Sequence, residues 1–90
     1  MSTELNQVVS YVYVVGSDIP GRAVELFAQP NSAIAAYREM ASALKYVKNR
    51  TSLKKTREAL STTGVFCEII ETGYSHVITY VKKQEVFHED

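Results

Sequence analysis

The chain has 90 residues, 46% apolar and 22% charged, with ten Lys plus Arg balanced by ten Asp plus Glu. That is one domain, 1–90, able to bury roughly 60–65% of its unfolded surface around a core that needs neither metal nor disulfide. A single cysteine, Cys67, excludes an internal disulfide, and no apolar run approaches the roughly 18–20 residues of a membrane span.

The first residues, MSTELNQ, carry an acid and amides with no basic lead into an apolar stretch, so they do not read as a signal peptide. Cytoplasm is the expected location. Residues 7–16, QVVSYVYVVG, are β-branched and aromatic and read as a strand ended by Gly16. SDIPG (17–21) has turn composition, and RAVELFAQ (22–29) alternates as a second strand, forming a hairpin with the first.

The period then changes. Asn31 or Ser32 can cap a helix, and Ile34, Tyr37, Ala41 and Leu44 recur on one helical face, widened by Met40 and Val47. Asn49 tolerates the conformation that ends helices, which predicts a helix over about 32–48. A second helix begins at Thr51 or Ser52, carries Leu53, Thr56 and Leu60, and stops before Gly64. VFCEIIETGYSHVITYVKK (65–83) reads as a closing hairpin. Thr72 suits a two-residue type I′ turn poorly, so a type I turn with Gly73 as bulge residue is preferred, setting Glu68 opposite His76. That register puts Phe66, Glu68, Ile70, Tyr74, His76, Ile78 and Tyr80 on one face, and Val65, Cys67, Ile69, Val77, Thr79 and Val81 on the other. Residues 1–6 and 84–90 are expected to be flexible. The fold class is α+β: a four-stranded antiparallel sheet, elements in the order β-β-α-α-β-β, with two helices packed on one face.

Neither face of this sheet reads as polar. In the first strand Val8, Ser10, Val12 and Val14 alternate with Val9, Tyr11, Tyr13 and Val15. Two one-sided helices cover one face, so the other needs a second cover, most simply another copy of the chain. Tyr11, Tyr13, Phe66, His76, Ile78 and Tyr80 have the aromatic mass and polar tips of an interface. The competing reading makes these aromatics ordinary core and leaves the smaller face half exposed.

Six of the ten basic residues (Lys45, Lys48, Arg50, Lys54, Lys55, Arg57) crowd into KYVKNRTSLKKTR at 45–57, without an acid. Helix starts favour acids, yet Lys54 and Lys55 lie in the first turn of the second helix. Arg50, Lys54 and Lys55, with the Thr51 and Ser52 hydroxyls and free amides, could hold a phosphate, with Lys45, Lys48 and Arg57 adding only field. Sequence-nonspecific nucleic-acid binding is the implied alternative function. The blander reading is a solvated surface: the charges surround the helix, and the neutral chain lacks the basic balance usual in nucleic-acid binders.

Catalytic and metal chemistry finds no purchase. Cys67, His76 and His88 lack metal-ligand spacing, no cofactor motif occurs, and the preferred register sets Cys67 and His76 on opposite faces. Asp18 and Arg22 read as turn residues, and Glu68 beside His76 as a cross-strand pair. The sequence therefore points to a non-enzymatic binding or regulatory protein that associates with itself, as a homodimer, and with a larger protein. No catalytic group, cofactor or membrane is called for.

Overall fold

The computed structural model describes residues 7–89. Its elements are β1 (Gln7–Ser17), β2 (Glu25–Phe27), α1 (Pro30–Leu44), α2 (Leu53–Thr62), β3 (Val65–Glu71) and β4 (His76–Glu89). They build an α+β domain whose antiparallel sheet runs β2-β1-β4-β3 and carries both helices on one face. Residues 1–6 and Asp90 lie outside the described residues.

The central pair is β1 and β4, in register from Gln7↔Glu89 to Ser17↔Thr79. Residues 84–89, expected as a loose tail, are therefore strand: they pair with residues 7–12 of β1 and give alternate residues there their backbone partners. The early hairpin forms, but β2 shrinks from the expected 22–29 to three residues pairing Tyr13–Val15. The reason lies in the turn. The Asp18 amide donates to the Ile78 carbonyl, and Asp18 Oδ1 accepts from the Ile78 amide, so β1's end is held to β4. Residues 19–24 must then loop back before pairing resumes.

Helix α1 opens at Pro30 with Gln29 as N-cap, two residues before the expected caps Asn31 and Ser32; proline at the first helical position loses no bond it could have made. It ends at Leu44 rather than 48. Lys45 turns extended, the Tyr46 amide docks onto the Glu71 carbonyl of β3, and Lys48 Nζ donates to the Ser42 and Ala43 carbonyls. Those contacts replace the Asn49 cap. Helix α2 starts as expected: Ser52 caps it, its hydroxyl accepting from the Lys55 amide at 3.1 Å. It closes through Gly64, at φ +82°, whose amide bonds the Ala59 carbonyl.

The closing hairpin differs from expectation in register. Glu71 faces His76, Ile70 faces Val77, and Glu68 faces Thr79, not His76. Four residues, Thr72–Ser75, make the connection. The Thr72 side-chain oxygen accepts from the Tyr74 and Ser75 amides, and the Thr72 amide donates to the Ser75 carbonyl. Gly73 does take positive φ (+96°), as expected. This register makes directly opposed residues share a face, so Phe66, Glu68 and Ile70 join Val77, Thr79 and Val81. That set, with Val15 of β1, meets Ala33, Ile34, Tyr37, Met40 and Ala41 of α1 and Leu60 of α2 to form the core.

Candidate functional site

One buried polar cluster sits among α1, β3 and the 45–51 segment. Tyr37 is fully buried, and its hydroxyl donates to Glu68 Oε1 at 2.8 Å and lies 2.8 Å from Thr79 Oγ1. The Thr51 hydroxyl donates to the same Glu68 oxygen at 2.8 Å and accepts from Lys45 Nζ at 3.0 Å. Lys45 Nζ also lies 3.7 Å from Glu68 Oε2, and Arg38 Nε donates to the Thr51 carbonyl at 3.0 Å. Burial raises the Tyr37 phenol above the ordinary tyrosine range; the Thr79 bond opposes that, and the Glu68 bond and charge reinforce it. Every hydroxyl and the carboxylate of the cluster has a partner inside it, while Lys45 and Glu68 also line a groove of about 250 Å³ with Val47, Asn49 and Glu71. The cluster fixes the 45–51 segment against β3.

The basic segment is consequently divided. Lys45 serves that cluster and Lys48 closes the end of α1. The Thr51 side chain is buried and donates to Glu68, and the Ser52 oxygen caps its own helix by accepting from the Lys55 amide. The phosphate cradle expected from Arg50, Thr51, Ser52, Lys54 and Lys55 thus loses the Thr51 hydroxyl and keeps the Ser52 proton. Arg50 lies with Lys48 along the outer side of α1, beside Arg38, Glu39 and Ser42. Lys54 and Lys55 are exposed on α2, and Arg57 lines two grooves, one with Lys54 and Glu58 and one with Lys83.

The six expected interface residues are divided too. Tyr13 and Phe66 pack against the core beneath the helices, with Phe66 edge-on to Tyr37 at 5.8 Å between ring centroids. Tyr11 shares their face, farther along β1, with Lys83 Nζ 4.1 Å from its ring centroid. His76, Ile78 and Tyr80 lie on the opposite, helix-free face, because the observed register reverses the expected pairing of strand sides.

That helix-free face is largely apolar. Ile69, opposite Ile78, is 73% exposed, and Leu26, opposite Val14, is 64% exposed. Val24, Val65 and Ile78 are exposed beside them, and the Tyr80 ring lies over Gly16, where an added Cβ would meet its Oη at 2.5 Å. Cys67, opposite Tyr80, is exposed. It shares this face with His76, contrary to expectation, but stands four strand positions from it, about 13 Å by strand rise. Glu71 and His76 mark one end of the face and Lys82 the other. Leu26, Val24, Val65 and Ile69 were absent from the expected interface; only the hairpin's register could have placed them.

No helix among the described residues is long and apolar enough to cross a membrane. Comparison with protein-family models, curated proteins and solved structures finds no match.

Proposed function

We propose that the protein works by association rather than catalysis, as a symmetric homodimer joined through the helix-free face of its sheet. The observation that carries this reading is the set of exposed aliphatic side chains on this face, Leu26 and Val24 at the β2 edge and Ile78, Ile69 and Val65 on β4 and β3, on a sheet whose other face already holds both helices. A second copy of the chain fits this face by charge. A two-fold axis lying between the sheets and across the strands brings Glu71 of one protomer over the Lys82 end of the other. Burying each half-exposed aliphatic side chain contributes about 1 kcal/mol, so five per protomer give about 10 kcal/mol per dimer. That is of the order of the association cost of about 4–15 kcal/mol, so the dimer is weak and reversible.

In this reading the chain is a small cytoplasmic binding protein, where its lone cysteine stays reduced. Its helix side, left outward in the dimer, is the surface offered to a larger protein whose activity it modulates. Support against a catalytic role comes from the separation of Cys67 from His76 and from the mutual hydrogen bonds that occupy the Tyr37, Thr51 and Glu68 side chains. Amide chemical shifts recorded over a dilution series test the interface. Shifts at Leu26, Ile69, Ile78 and Tyr80 that change with concentration, while those of Tyr37 and Ala41 hold still, are expected. Changes confined to the helix side, or none at all, would overturn it.

A further inference from the structure

A groove of about 250 Å³ lies on the helix side, between the start of α1, the middle of α2 and the central strands. Its floor is Tyr13, Ile34 and Leu60; Arg57 and Lys83 supply its charge, and Asn31 its amide. None of the residues lining it is acidic, a local imbalance in a chain of zero net charge. Arg57 makes no hydrogen bond or ion pair among the described residues. Lys83 Nζ lies 4.1 Å from the ring centroid of Tyr11, just outside the groove, so its ammonium is positioned. The start of α1 adds its positive pole at the Asn31 end, since no side chain caps it.

Cations that converge on an aromatic and aliphatic floor suit a ligand with an anionic group attached to a flat ring. We propose that this groove binds a phosphorylated nucleoside unit, free or within a single strand, with its phosphate on Arg57 and Lys83 and its base against Tyr13 and the Ile34–Leu60 floor. A groove of about 250 Å³ takes part of one such unit, the rest staying in solvent, and no duplex. Base stacking on aromatic rings tolerates any sequence, and nothing in the groove reads base edges with the geometry that specificity requires. The ligand thus draws on Arg57 from the basic segment and on Lys83 from far outside it, not on the hydroxyls of Thr51 and Ser52.

The test titrates the full chain with ATP and with fluorescein-labelled single-stranded oligothymidine, at low and moderate salt. Two phosphate contacts give the strand a log-log salt slope of about −1.4. Arg57→Glu and Lys83→Glu should each weaken binding about tenfold, the scale of one charge-assisted hydrogen bond lost. Arg50→Glu makes the same change in net charge outside the groove and should alter binding less than about twofold. Circular dichroism of each variant verifies its fold, and Arg57→Gln, which removes the charge without reversing it, should fall between wild type and Arg57→Glu. Groove-dependent binding of ATP alone identifies a free nucleotide; tighter groove-dependent binding of oligothymidine identifies a strand; both support the assignment. Binding of neither probe at low salt would overturn it. So would Arg50→Glu proving as damaging as Arg57→Glu, because the attraction would then be diffuse charge and not this groove.

Discussion

Replacing Glu68 by alanine strips the acceptor on which the polar cluster converges. The carboxylate accepts the Tyr37 and Thr51 hydroxyls, both at 2.8 Å, and stands 3.7 Å from the Lys45 ammonium. In Glu68→Ala the Tyr37 hydroxyl can still donate to Thr79, but the buried Thr51 hydroxyl loses its acceptor and Lys45 its counter-charge. A hydrogen bond to a charged group contributes about 1.5–3 kcal/mol, so losing two while one donor finds a substitute costs about 3 kcal/mol. For a domain of this size that lowers the melting temperature by about 12–24 °C. Glu68→Gln keeps an oxygen for both hydroxyls and loses only the charge, and should cost about 1 kcal/mol. Urea unfolding with calorimetry measures both, and hydrogen exchange at the Tyr46 amide, bonded to the Glu71 carbonyl, reports whether the 45–51 segment loosens. A Glu68→Ala protein as stable as wild type, with Tyr46 still protected, would refute this account of the cluster.

The observed hairpin register separates two neighbouring isoleucines. Ile70→Ala, in the core at 2% exposure, should cost about 2–5 kcal/mol in urea unfolding, whereas Ile69→Ala, on the helix-free face, should change monomer stability by under about 1 kcal/mol. Equal costs would contradict the facing assigned to β3. Burial, chiefly, keeps the Tyr37 phenol protonated in the native state at pH values where the unfolded chain's tyrosine ionises. Its contribution is therefore complete below about pH 10 and is lost as pH rises beyond it, at up to about 1.4 kcal/mol per pH unit. Tyr37→Phe should remove that component, so the stability curves of variant and wild type should converge between about pH 10 and 11; parallel curves would refute it.

Much of the fold was legible because local pattern and tertiary structure agree. The apolar spacing from Ile34 to Ala41, the Ser52 cap and the Gly64 stop each state their role in a few adjacent residues. What was not legible depended on long-range contacts. The length of the second turn rests on one Thr72 hydroxyl gathering two amides, and the shift of pairing from Glu68–His76 to Glu71–His76, an odd number of residues, exchanges which strand sides share a face. The early end of α1 follows from Tyr46 reaching Glu71, and the loss of Thr51 as a ligand from Glu68, each across many residues of sequence. Strand through Glu89 was missed because Gln84-Glu85 reads as polar tail until β1 is seen beside it. The same errors of register divided the expected interface: Ile78, Tyr80 and His76 share one surface, Tyr13 and Phe66 the other.

Sedimentation equilibrium of the wild-type chain, across a concentration series spanning the micromolar range, addresses self-association most directly. Association through the helix-free face predicts an apparent mass that climbs from the monomer's 10.1 kDa toward twice that value, and a return to monomer mass in Ile69→Lys at every concentration. A mass of 10.1 kDa throughout the wild-type series would contradict the homodimer, and a dimer indifferent to Ile69→Lys would contradict the face assigned to it.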